Sequence, residues 1–230
     1  MTETWTGLPD DGPVTMERLD DGAIWHVKLA TPKANILDMR KVEILSGLFT
    51  HAGSDRNLKA VILDSKGPSF SFGASVQEHL PGQFEQMIPQ FGALFLRMLD
   101  ASVTTVAVVR GQCLGGGLEL ASFCNRVIAS PDAKLGQPEI LLGVFAPLAS
   151  VFLGERIGRG AAEDLCLTGR AAGADEALAM GLVDQIADEP ASTALAWVRE
   201  YLLPRSAVSL RYAVRALREG MKERLRVDLD

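Results

Sequence analysis

Three consecutive glycines, Gly115-Gly116-Gly117, lie just ahead of Glu119 in an otherwise apolar stretch, GLELAS, and a second acid, Glu139, follows in GQPEILLG. Residues without a Cβ let a ligand approach the backbone closely, and a helix starting there presents unpaired N–H groups at its positive end. Such a corner is either an anion site or a structural tight turn. It is not a nucleotide loop, because GQCLGGG lacks the Lys-Ser/Thr of a P-loop and does not fit GxGxxG. Glu119 falls in the first turn of that helix, where a carboxylate either favours the helix dipole or serves as a site acid or base. Glu139 follows Pro138, so it is either anchored on rigid backbone or an ordinary turn residue. If both acids face one pocket, repulsion and desolvation push their proton affinities apart, leaving one as acid and the other as base. A second glycine loop, SFSFGASV, offers Gly73 and the amide of Ala74. Two backbone N–H groups from separate loops, aimed at one oxygen, form an oxyanion hole in which each donor is worth about 2.7 to 4 kcal/mol.

Other chemistries find little support. His26, His51 and His79 have no HExxH spacing, which disfavours a zinc site, and no Ser sits in a GxSxG elbow. Cys113, Cys124 and Cys166 are few, odd in number and set in apolar runs, as reduced packed thiols are. The basic stretch RYAVRALREGMKERLR reads as a solvated or intersubunit helix face, with a phosphate contact as the alternative.

These residues need elements to hold them. IWHVKLA alternates with a period of two, placing Trp25, Val27 and Leu29 on one face and Ile24, His26 and Lys28 on the other, as in a half-buried strand. Asp38 is an N-cap for a helix carrying Val42, Leu45, Phe49 and Ala52, ending before Gly53. AVILD from Ala60 and VTTVAVV from Val103 are buried strands, and Met87, Ile88, Phe91, Phe95 and Met98 line a helix that Pro89 kinks or restarts. RVIAS and AKLG read as short strands, and beyond Gly143 the pattern is helical, over about 148–157, 161–167, 174–180, 191–203 and 206–219. The fold class is α/β with a helical C-terminal segment. Residues 1–13 are expected to fray, residues 14–200 to form the core domain, and residues 201–230 to add the helical segment.

Composition agrees with a folded domain: 230 residues, 47% hydrophobic and 23% charged. A net charge of −6 offers no overall basic field for nucleic acid or anionic lipid. No run of about 18 apolar residues suggests a membrane span, and the N-terminus shows no signal or transit pattern, so a cytoplasmic location is expected.

GQCLGGGLELASFCN, KLGQPEILLGV, FSFGASV and ANILD, in this order, resemble the enoyl-CoA hydratase/isomerase (crotonase) superfamily over about residues 14–219. Within it, SFGASVQEHLP and GQPEILLGVFAP are similar to the cyclohexa-1,5-diene-1-carbonyl-CoA hydratases of anaerobic benzoyl-CoA degradation, where ordinary hydratases carry AGADI and PGAGG. The resemblance implies a spiral of ββα units, a homotrimer or dimer of trimers, and no metal or redox cofactor, CoA being part of the substrate. It places the oxyanion amides at Ala74 and Gly116, with Gly73, Gly115 and Phe145 lining the substrate. It also implies that Glu119 and Glu139 hold one water, Glu119 deprotonating it and Glu139 protonating carbon, or the reverse. The adenine end of CoA is expected near ANILD. For a cyclic dienoyl thioester, polarising the carbonyl lets water add across 1,4 positions, and FAPLAS with Phe145 suits a flat ring. General enoyl-CoA hydration and double-bond isomerisation are the near alternatives, although an isomerase typically needs only one of the two carboxylates. A catalytically silent CoA-binding or assembly subunit is the alternative from another class. Two departures stand out: Ser75 replaces the usual Asp, and family chains continue for some helical turns beyond the position of Met221, so the C-terminal segment reads as shortened.

Overall fold

The computed structural model describes residues 8–9, 11–31, 34–75 and 84–227. β1 (Val14–Leu19) and β2 (Ile24–Leu29) pair as an antiparallel hairpin, and β2 then runs parallel to β3 (Ala60–Ser65). Next to β3 come β4 (Thr104–Val109), β6 (Arg126–Ala129) and β9 (Gln185–Ile186), giving the sheet order β1-β2-β3-β4-β6-β9. Every residue of β3 and β4 is buried, as their unbroken apolar runs require of strands covered on both faces. A smaller sheet joins β5 (Gln112–Leu114), β7 (Lys134–Gly136) and β8 (Ala171–Gly173).

Helices cover both faces of the large sheet. α1 (Met39–Ser54) starts at Asp38, whose side chain accepts from the Lys41 amide at 2.9 Å. It runs past Gly53, which faces Ala101 of α2 (Phe84–Ala101) and does not terminate the helix. Pro89 lies inside α2 without ending it. α3 (Gly116–Ser122) and α4 (Pro147–Ile157) complete the main core, in which Trp25, Phe49, Phe95, Leu120 and Phe152 are buried. The opposite face buries Ile24, Ile62, Val106 and Ile128 against Ala194 and Val198 of α7 (Pro190–Tyr201). Ile24 is therefore buried too, and β2 is covered on both faces at its start, where alternation alone predicts one covered face.

The C-terminal third continues with α5 (Arg159–Thr168), α6 (Ala174–Ala179), α8 (Ala207–Leu217) and α9 (Met221–Val227). The expectation of helices alone in this third is corrected by β8 and β9, which are too short to show a period. Met221 and Leu225 of α9 insert into the main core. Among the described residues no helix is long and apolar enough to cross a membrane, and the three cysteines are free thiols.

Candidate active site

Backbone stitching brings the two glycine loops together. The loop after β3 is held on one side by the Phe72 amide donating to Ala34 O and the Leu37 amide donating to Gly73 O, both at 2.9 Å. On the other side the Ser71 amide donates to Gln112 O and the Leu114 amide to Ser71 O, both at 3.0 Å. Ser71 Oγ in turn donates to Asn35 O and accepts from the Gly73 amide. The ANILD segment thus serves as a brace for this loop. A Cβ on Gly117 would lie 2.7 Å from Ser71 Cβ, so α3 approaches the loop only because no side chain intervenes. As a result the Ala74 amide nitrogen lies 3.3 Å from where a Gly116 Cβ would stand, and the Gly116 nitrogen 3.4 Å from where a Gly73 Cβ would stand.

The carboxylates arrive from two further elements. Glu119 sits in the first turn of α3 and is 2% exposed. Its Oε1 accepts from the Ala149 amide at 2.8 Å, in the first turn of α4 behind Pro147. Glu139 lies on the short 3-10 turn Pro138–Leu142, directly after β7. Parallel pairing of β5 with β7, and the Gly115 amide donating to Gly136 O at 2.9 Å, set that turn against the triple glycine. A Cβ on Gly115, which has φ +53°, would lie 2.6 Å from Glu139 Oε1, so the glycine leaves the carboxylate its place. Gln137 is fully buried beneath the turn. Its side-chain amide, oriented to donate, is 3.1 and 3.2 Å from the two Glu139 oxygens and 3.3 Å from Gly115 O.

All seven residues singled out in the sequence, Gly73, Ala74, Gly115, Gly116, Glu119, Glu139 and Phe145, line one cavity of about 580 Å³. Its deep end is closed by Met87, Phe91 and Leu148, all buried, while Phe72, Leu142 and Phe145 are exposed at its mouth. Burial first, and the charge of Glu139 second, push the Glu119 carboxyl up to about 8 against the pull of the Leu148 and Ala149 amides. Burial also raises Glu139, opposed by its own backbone N–H. Glu139 keeps some contact with solvent, so burial raises the drier Glu119 more strongly. The arrangement therefore brings two carboxyls and two adjacent backbone amides to the lining of one largely apolar cavity.

The sequence model of the family described as enoyl-CoA hydratase/isomerase matches residues 20–229. The chain belongs to this family. A cyclohexa-1,5-dienecarbonyl-CoA hydratase from Thauera aromatica is 46% identical over 217 residues, covering 94% of this chain and 83% of that protein. A probable enoyl-CoA hydratase from Rhizobium meliloti is 32% identical over 215 residues, covering 90% and 84%. Among solved structures, Pseudomonas aeruginosa DspI superposes with a TM-score of 0.87 at 27% identity, over 96% of this chain and 86% of that one. An enoyl-CoA hydratase from Bacillus anthracis gives 0.84 at 25% identity, over 95% and 87%. This member of the family has the crotonase-type α/β fold, and its relatives' names place it among the hydro-lyases.

Several site residues of this family member escape sequence reasoning. Phe91 is recognisable only as one apolar position on a helix, and Gln137 as a polar residue in a loop. The Leu148 and Ala149 amides have no side-chain signature at all, although Pro147 marks a helix start where such amides are free. Cys166 is the converse case: burial and both carboxylates push its thiol up to about 11, so it stays protonated near the pair. His79 lies outside the described residues.

Proposed function

We propose that this protein hydrates a conjugated acyl-CoA thioester, with cyclohexa-1,5-diene-1-carbonyl-CoA as the substrate. The observation that carries the reading is the meeting of Glu119 and Glu139 at one cavity beside the Ala74 and Gly116 amides. The substrate is supported by the name of the Thauera relative and by an apolar, partly aromatic cavity wall. The two amides donate to the thioester oxygen and stabilise the enolate that develops on it. Gly73 and Gly115 leave the backbone room to do so.

One water is consumed. Its oxygen bonds to the ring carbon β to the thioester, its proton passes to the ionised carboxylate, and the π-electrons move onto the carbonyl oxygen. The resulting dienolate collapses by taking the proton of the other carboxyl at the far end of the remaining double bond. The product is a 6-hydroxycyclohex-1-ene-1-carbonyl thioester. Because burial raises Glu119 more strongly, this reading lets Glu139 accept from water and Glu119 give its proton to carbon, one of the two divisions of roles that the family resemblance allows. No metal or redox group takes part in this scheme, and CoA is only the carrier of the acyl group. Exposed Leu141, Leu167, Tyr212 and Leu217 support self-association, for which a trimer or dimer of trimers in the cytoplasm is our reading.

The test is to incubate the protein with the dienoyl thioester in D2O and follow absorbance, product mass and label position. Loss of conjugation with gain of one water and deuterium at the far ring carbon supports this reaction. An unchanged mass with a moved double bond makes the protein an isomerase, and CoA-ester binding without turnover makes it a silent binding subunit. Faster turnover of crotonyl-CoA makes it a general enoyl-CoA hydratase.

A further inference from the structure

The deep end of the cavity is built differently from its mouth. Phe145, the aromatic residue expected to face the ring, is 64% exposed, whereas Phe91 is 5% exposed and sits against the amide corner. Phe91 Cζ lies 3.1 Å from where a Gly116 Cβ would stand, so its ring edge occupies the space beside the Gly116 backbone, whose N–H is assigned to the thioester oxygen in the proposed function. An acyl group bound there meets Phe91 within its first few carbons.

Phe91 has nowhere to retreat. Its ring meets Phe95 edge to face, with centroids 5.2 Å apart and planes at 76°. Phe95 is fully buried and packs in the same manner on Phe123, at 4.9 Å, and Phe123 on Phe152, at 5.0 Å. A ladder of four rings from α2, the end of α3 and α4 backs the residue, and edge-to-face pairs resist rotation because their quadrupoles are already matched. Moving Phe91 means repacking a close-packed core.

We propose that Phe91 is a specificity-determining residue, forming a fixed floor beside the Gly116 amide that admits compact acyl groups and rejects long linear chains. This rests on reading the cavity as an acyl-CoA site, and it deepens that reading by naming the residue that sets acyl length.

The test uses saturated thioesters, which cannot be hydrated, so it is independent of turnover. Calorimetric titration of the purified protein with cyclohexanecarbonyl-CoA and decanoyl-CoA should show the cyclic ester binding at least about tenfold tighter. Phe91→Ala should shrink that gap to about threefold or less, and Phe91→Leu, which keeps more of the core volume, should give an intermediate value. Equal binding of the two esters by the unaltered protein overturns the proposal, as does a gap that neither variant changes. Retained discrimination in a protein that hydrates nothing supports the role of Phe91 while removing the hydratase reading. Failure to bind any CoA ester overturns both.

Discussion

Glu119 and Ala149 are joined by a 2.8 Å hydrogen bond from the Ala149 amide to Oε1, so the start of α4 holds the carboxyl carried by α3. One oxygen is thereby fixed as an acceptor. Burial keeps the Glu119 carboxyl protonated up to about pH 8, far above the ordinary carboxyl value of 4.5. Between those limits the folded state binds more protons than the unfolded one, so this group's contribution makes the fold less stable as pH rises. Glu119→Gln keeps the shape and cannot ionise. Its melting temperature should exceed that of the unaltered protein by a margin that grows from about pH 5 to about pH 9, while activity drops by roughly 10²- to 10⁴-fold. Parallel pH–stability curves for the two proteins count against this.

In the proposed reaction the same pair sets the pH dependence of turnover, Glu139 acting ionised and Glu119 protonated. Rates should fall above about pH 8 as Glu119 loses its proton, and fall again at low pH as Glu139 gains one. Initial rates across pH, with protein integrity checked at each point, should trace a bell. A rate that keeps climbing well past pH 9 contradicts the assignment.

Gly115 is a space-filling constraint on Glu139. In Gly115→Ala the new methyl would lie 2.6 Å from Glu139 Oε1, and the backbone at φ +53°, ψ −129°, a conformation that glycine alone adopts readily, adds strain of about 1–3 kcal/mol. The carboxylate must move, and a shift of about 1 Å at a reacting group costs roughly 10²-fold in kcat. Gly22→Ala is the control, since Gly22 has φ +82° and only the Asn57 side chain within 4.0 Å of its would-be Cβ, far from the cavity. The control should lose stability and keep its rate. Equal kcat in both variants contradicts the steric account.

The elements that carry this site were largely legible, because β3 and β4 are unbroken apolar runs and the triple glycine interrupts a strand-to-helix transition. Which residues meet was less so. Glu119 and Glu139 converge through the parallel register of β5 on β7, in which Leu114 pairs with Gly136, and three-residue strands leave no period to read. The Glu119 carboxyl is held by main-chain amides, which any residue but proline supplies, so no side-chain pattern announces them. Phe91 is hidden for the opposite reason: an apolar helical stripe looks the same whether it faces a core or a cavity. Ile24 illustrates the limit in the fold, since its burial depends on α7, about 170 residues later in the chain.

Gln137 ties the second acid to the glycine loop. It is fully buried, and its amide donates toward both Glu139 oxygens and toward Gly115 O. Donors to a carboxylate favour the charged form, so this amide opposes the upward push of burial on Glu139. Removing them in Gln137→Leu should move the acidic limb of the pH–rate profile upward, because the charged form loses its donors. The loss should fall on kcat more than on KM, since the CoA portion of the substrate is untouched. A role limited to packing lowers the melting temperature without moving the limb. The decisive background is Glu139→Gln, where Gln137 has no charge left to hold. Adding Gln137→Leu there should cost no further rate, and additive losses in the double variant overturn the coupling.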